Sequence, residues 1–206
     1  MALMHLVLLV EEQSMEAFLR TLLPRLLPET CSHEIHAFQC KNDLKRKLAA
    51  RLRAYARWLP ADWRILVLVD RDRDDCRVLK NELEETARRS GLRTISREER
   101  WQLANRIVVE ELEAWYFGNW HAVRRAYPRV SPNVPNRRGY RDPDGVVNTW
   151  EAFERILQRH GYFSNGLRKT EAARAIAEHL DPAENRSGSF SVFHRTLVQA
   201  IPADAG

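Results

Sequence analysis

The chain has no apolar run long enough to span a bilayer, and its longest leucine-rich stretch is interrupted by Pro24. It is also poor in cysteine. Cys31, Cys40 and Cys76 are odd in number and show no Cys-x-x-Cys spacing, which argues against a disulfide framework or a cysteine zinc site and for a reducing cytoplasm. Met1 to Val10 is apolar, yet acids follow at once and neither a basic leader nor a small-residue cleavage site accompanies it. It reads as a first strand, not a secretory signal. No Walker A sequence, GxGxxG or GxSxG occurs, so ATP hydrolysis by this chain alone is not expected. Internal repeats and low-complexity tracts are missing. Acidic residues are missing too from the whole interval between Glu113 and Asp142.

What is present fits one domain, or one domain with a small appendage, in 206 residues carrying a formal charge of +5. That moderate excess permits a polyanionic partner. Two runs, Leu3 to Val10 and Arg64 to Val69, are rich in valine and leucine and suit central strands covered on both faces. Between and after them, strand and helix alternate. Helices are expected at Met15 to about Leu27, capped by Ser14 and kinked or shortened by Pro24, at Asn42 to Leu59, and from Cys76 to near Gly91. Strands are expected at Glu34–Gln39, Leu92–Ser96 and Arg106–Val109. The order predicts an α/β fold with a mostly parallel sheet and right-handed crossovers. Pro128, Pro132, Pro135 and Pro143 then leave room only for a short helix around His121 to Tyr127. Helices at Thr149–His160 and Thr170–Leu180, each with a threonine cap, and at Ser189–Ala200 complete the chain.

Both apolar runs end in acid. The first leads into Glu11-Glu12 and the second into Asp70-Arg71-Asp72. Ligands of open parallel sheets bind outside the carboxyl ends of the strands, so Glu11, Asp70 and Asp72 are expected to converge on one rim. Crowded carboxylates repel, and such a cluster suggests a hard cation such as Mg2+. Asp74 and Asp75 read instead as a solvated turn or a helix start favoured by the dipole. An EF-hand loop from Asp70 would need glycine where Asp75 stands and glutamate where Asn81 stands, so it fails. The Asp-x-Asp start of a haloacid-dehalogenase phosphatase normally continues with Thr or Val where this chain has Asp74.

The arrangement resembles the Toprim domain of topoisomerases, primases and OLD-type nucleases. There, a glutamate follows the first strand and Asp-x-Asp follows a later one. Val10-Glu11-Glu12-Gln13-Ser14-Met15-Glu16 looks like the first motif, and Val67-Leu68-Val69-Asp70-Arg71-Asp72 like the second. The set is similar above all to the Toprim-like DUF4276 family. The similarity lies in Asp70-Arg71-Asp72-Arg73-Asp74-Asp75-Cys76, in Val109-Glu110-Glu111-Leu112-Glu113-Ala114-Trp115 and in Ser187-Gly188-Ser189-Phe190. One departure is Glu12, where the first motif usually has a glycine that eases a tight turn. The resemblance implies a Toprim-like (Rossmann-like) catalytic domain over residues 1–118. Residues 119–206 would form a basic, loop-rich segment and a C-terminal helical appendage packed on the same domain.

The chemistry it implies is Mg2+- or Mn2+-dependent cleavage of phosphodiester bonds, in DNA before RNA. Asp70 and Asp72 would ligate metal, and Glu11 would bind metal or act as general acid–base. Glu110, Glu111 or Glu113 would complete a second metal site, with Glu110 and Glu113 as the expected ligands, although Glu113 could equally pair with a nearby arginine. Relatives of this kind often accompany ABC/SMC-like ATPases in systems resembling phage defence. The rival expectation is a non-catalytic nucleic-acid-binding or ATPase-partner subunit on a degenerate Toprim fold. Arg124, Arg125, Arg137 and Arg138, interleaved with Trp120, Tyr127 and Tyr140, are candidates for a nucleic-acid track, although the aromatics could simply pack the C-terminal helices. Lys169 joins them because the family commonly has a basic residue near it. The basic run from Lys45 to Arg57 reads as a solvated helical face, and the scattered histidines carry no catalytic role.

Overall fold

The computed structural model describes residues 4–201. Leu3, part of the expected first strand, lies outside them, as does the end of the appendage from position 202 onward. Four strands form one all-parallel sheet: β1 (Met4–Val10), β2 (Cys31–Ala37), β3 (Trp63–Asp70) and β4 (Leu103–Val108). They lie in the order β2-β1-β3-β4. The crossovers are α1 (Gln13–Leu26), α2 (Lys41–Ala56) and α3 (Cys76–Arg89). From β1 the chain steps outward to β2, then crosses back over β1 to β3 and continues to β4. With right-handed crossovers, that reversal places α1 on one face and α2 and α3 on the other.

The cores bear this out. Leu6, Leu8, Val10, Leu66 and Leu68 face a core shared with α1, whereas Val7, Leu9, Ile65, Val67 and Val69 face one built on Leu44, Leu48, Leu79 and Leu83. Alternate residues of one strand therefore serve two cores, which is why both central strands are apolar throughout.

Among the described residues five more α-helices follow: α4 (Glu113–Gly118), α5 (Trp120–Ala126), α6 (Thr149–Arg159), α7 (Lys169–Ala177) and α8 (Gly188–Ala200). They extend the core on the α1 side, with α7 against α1 and α8 against β4 and α4. Trp115, at its centre, stacks on Phe193 at 5.0 Å and meets Phe190 edge-on at 5.2 Å.

Several local expectations are corrected. Pro24 is exposed and lies in the last turn of α1, which runs two residues past it to Leu26. Ser14 is not its cap. The N-cap is Glu12, to whose carboxylate the Ser14 hydroxyl donates. Glu12 has φ −143° and ψ 168°, extended backbone open to any residue, so glycine is not required there. Neither Thr149 nor Thr170 caps its helix; the N-caps are Asn148 and Arg168, without side-chain cap bonds. Leu92–Ser96 yields only a bridge between Thr94 and Leu103.

The Ser187-Gly188-Ser189-Phe190 segment is an anchor. Asp144 accepts from the Ser189 amide at 2.8 Å and the Ser187 hydroxyl at 2.6 Å, and Ser189 Oγ accepts from the Trp115 indole at 3.0 Å. Asn185 completes it, donating to the Trp115 carbonyl and accepting from the Ser187 amide, both at 3.0 Å. A Cβ at Gly118 would fall 2.0 Å from Asn185 Oδ1. Gly118→Ala is therefore expected to cost about 3 kcal/mol, through overpacking and broken buried hydrogen bonds, measurable by denaturant unfolding. An unchanged midpoint would mean that the Asn185 anchor adjusts freely.

Candidate active site

Val10 pairs with Leu68, so the carboxyl ends of β1 and β3 lie side by side where the strand order reverses. The crevice at such a reversal is the usual ligand site of an open parallel sheet. β1 delivers Glu11 there and β3 ends in Asp70. The Asp70 amide donates to Glu11 Oε2 at 3.1 Å, joining the two strand ends. Burial pushes the Glu11 carboxyl up to about 7, with Asp72 and Glu12 adding to it and Lys41 opposing. Asp70 is 7 % exposed. Burial, then the charges of Glu11, Glu12, Glu113 and Asp72, raise its pKa well above the ordinary aspartate range.

Beyond Asp70 the backbone turns sharply. Asp72 has φ +49° and Glu110, after β4, has φ +58°, both in the left-handed region that most side chains avoid. The Asp72 amide donates to the Glu110 carbonyl at 2.9 Å, and the Arg71 guanidinium pairs with the Glu110 carboxylate. Lys41, opening α2, reaches Asp72 Oδ2 at 2.6 Å, Asp74 Oδ2 at 3.1 Å and the Arg71 carbonyl at 3.1 Å. Burial opposes its charge, but the bonds to Asp72 and Asp74 hold its pKa above the usual lysine value. Asp75 is the N-cap of α3, accepting from the Arg77 and Val78 amides at 2.9 Å.

The three glutamates after β4 have separate roles. Glu110 belongs to Arg71. Glu111 Oε2 accepts from the Thr149 hydroxyl at 2.7 Å and the Trp150 amide at 3.0 Å, fastening the start of α6 to the rim. Glu113 is 2 % exposed, and its Oε2 is buried without a partner. Burial lifts its pKa to about 7, with Lys169 opposing and Glu111 and Glu12 adding. Its cationic neighbour is thus Lys169, not an arginine. Lys169 in turn has its charge favoured by Glu113, Glu12, Glu111 and Asp70 against the effect of burial.

A cleft of about 570 Å³ opens on this rim, lined among others by Glu11, Lys41, Lys45, Asp72, Arg73 and Trp150. Among the described residues, no three His, Cys, Asp or Glu side chains stand in metal-chelating geometry. The donor set nevertheless suits a hard cation. It is all oxygen, and the raised carboxyls of Glu11, Asp70 and Glu113, with the orphaned Glu113 Oε2, mark a place short of positive charge. Lys41 beside Glu11 and Lys169 beside Glu113 meet part of that need.

The basic track has a different setting. Arg124 is half-buried and donates to the Val130 carbonyl at 3.4 Å; Arg125, Arg137 and Arg138 are exposed, and none of the four lines the cleft. Trp120 and Tyr127 are core residues, and Tyr140 stacks on Phe117 at 5.4 Å. Those aromatics pack the C-terminal helices. Sequence reasoning missed Lys41 and Trp150. The first could have been found from topology, since the helix after β2 must start on the same rim; the second had no signal, being brought there by Glu111.

A family model described as a domain of unknown function (DUF4276) matches residues 10–198. Neither the curated proteins nor the solved structures yielded a match.

Proposed function

The chain belongs to the DUF4276 family, and from that premise we propose that it is a metal-dependent nuclease cleaving phosphodiester bonds, in DNA before RNA. The observation that carries the reading is the meeting of Glu11 and Asp70 at the sheet's reversal point, joined by the 3.1 Å bond and held at raised pKa. The resemblance of both motifs to Toprim enzymes supports the same chemistry.

Glu11, Asp70 and Asp72 would hold a Mg2+ or Mn2+ ion, with Glu113 and, once released by Arg71, Glu110 as further oxygen donors. When bound, such an ion supplies charge neutralisation at phosphoryl oxygens and a more acidic water. The protein's own groups do the rest. Glu11, near pH 7 in its titration, is poised to take or return a proton at its carboxylate at neutral pH. Lys41 orients Asp72 and Asp74 by hydrogen bonds, while Lys45 and Arg73 line the approach for phosphate oxygens.

A cytoplasmic setting with an ABC/SMC-like ATPase supplied by another chain, in a system resembling phage defence, completes the proposal. The resemblance supports it, and the lack of a phosphate-binding loop is consistent with an ATPase supplied in trans. Among the described residues no helix is long and apolar enough to cross a membrane. A second reading, a non-catalytic partner subunit, has one observation in its favour: Lys41 and Arg71 already occupy the carboxylates of Asp72 and Glu110.

The test uses purified protein, with and without the partner ATPase, on plasmid, linear DNA and RNA with Mg2+, Mn2+ or EDTA. Cleavage should require the divalent ion, and Asp72→Ala should lower it at least about a hundredfold, the scale of losing one ligand of a charge-stabilising site. Nucleic-acid binding without metal-dependent cleavage would favour the subunit reading, and hydrolysis of small phosphomonoesters alone would reject both.

A further inference from the structure

Trp150 is the single aromatic among the described residues lining the acidic cleft. Neither hydrophobic core includes it. Trp115 and Trp120, by contrast, are core residues whose indole N–H groups bond to Ser189 Oγ at 3.0 Å and to the Ser131 carbonyl at 2.9 Å. Trp150 is instead held in place at its backbone and over its ring. Its amide donates to Glu111 at 3.0 Å, and Lys169 Nζ lies 5.1 Å from the ring centroid. Lys169 is not a lining residue of the cleft, and its ammonium over the ring steadies the indole. A large flat surface fixed in advance loses little conformational freedom when something stacks on it.

The remaining wall fits the same occupant. Lys41, Lys45 and Arg73 present cationic groups, suited to phosphate oxygens. The volume of about 570 Å³ lies within the roughly 300–1,000 Å³ of small-ligand sites. That admits a nucleotide. A base within a duplex is stacked on its neighbours and cannot reach an aromatic wall inside such a cleft.

We propose that Trp150 is a base-stacking platform and that the cleft receives one unpaired nucleotide at a time, making single-stranded nucleic acid, or a frayed end, the substrate class. This deepens the nuclease reading of the rim and rests on it for the chemistry, while the binding claim stands on the cleft alone.

Fluorescence anisotropy with the full chain tests it, in Ca2+ to limit turnover. The probes are a short single-stranded DNA, the duplex of the same sequence, an abasic sugar–phosphate strand of equal length and a free mononucleotide as competitor. The single strand should bind at least about tenfold tighter than the duplex. Trp150→Ala should weaken single-strand binding roughly tenfold, the scale of one lost base–aromatic stack. Trp150→Phe should retain most of it, and Trp150→Ala should leave the abasic strand unaffected. Melting curves of both variants establish that they fold. Equal binding of duplex and single strand would overturn the proposal. So would an equal loss on the abasic strand, no loss on the base-bearing one, or a mononucleotide that competes as well as the strand. Cleavage in Mg2+ is scored separately. Trp150-dependent single-strand binding without cleavage removes the nuclease reading and keeps the platform, and cleavage indifferent to Trp150 does the reverse.

Discussion

Asp70→Asn will reduce metal-dependent cleavage at least about a thousandfold, yet in EDTA at pH 8 it will melt no lower than the wild type. The first half follows from position. Asp70 ends the central strand at the reversal point, bonded through its amide to Glu11. A charge-stabilising site of this kind contributes several kcal/mol to the transition state, and about 1.4 kcal/mol is a decade in rate. The second half separates function from architecture. A buried carboxylate that stabilised the fold would be costly to neutralise. Asp70 is the opposite case, since burial and four neighbouring carboxylates raise its pKa well above the ordinary range. An amide of nearly the same shape relieves that repulsion, whereas the charge is tolerated for its use, a stability–activity trade-off. The accompanying signature is loss of the Mg2+-induced rise in melting temperature. A variant that unfolds early would mean that the Asp70 carboxylate supports the fold, and one that cleaves as the wild type does would remove Asp70 from the site.

The central strands, their acidic ends and the helices between them were legible because burial on both faces leaves a continuous apolar run, and a crossover helix leaves a three-to-four-residue stripe. Leu8 and Leu9 face different cores, so no polar residue fits at either position. Strand order leaves no such trace. Only the pairing of β1 with both β2 and β3 places Glu11 beside Asp70, and it also brings Lys41, thirty-one residues before Asp72, to within 2.6 Å of it. The choice among Glu110, Glu111 and Glu113 was equally hidden. It depends on the left-handed turn at Glu110, which directs that carboxylate to Arg71, leaves Glu111 to hold α6, and lets Glu113 enter the core at the start of α4. Helix caps were misread at Ser14, Thr149 and Thr170 for a related reason. A residue able to cap does so only if the chain enters at the right angle, and tertiary contacts set that angle.

The metal-free protein is also expected to lose stability as the pH rises from about 5 to 8, and Mg2+ to restore it only at the upper end. Glu11 and Glu113 are both lifted from 4.5 to about 7, chiefly by burial. Below about 4.5 the folded and unfolded chains are both protonated, and the contribution of these groups is fully present. Between 4.5 and 7 the folded chain keeps protons that the unfolded chain has released, so stability falls with rising pH, and above 7 the loss is complete. For Glu113, almost wholly buried, the conversion of about 1.4 kcal/mol per pKa unit gives roughly 3 kcal/mol. Glu113→Gln should therefore flatten the curve and, in EDTA at pH 8, melt roughly 6–12 °C above the wild type. His5 and His33, whose pKa values burial lowers, tilt the profile the other way, and the difference between wild type and variant cancels them. Mg2+ must displace the same protons to bind, so its stabilising effect should grow at least about tenfold in apparent affinity between pH 6 and 8. Parallel melting profiles for wild type and Glu113→Gln would show that Glu113 carries its charge in the folded chain. A Mg2+ effect of equal size at pH 5 and pH 8 would place any bound ion away from the raised carboxyls, because no ion can share their oxygens without competing with their protons.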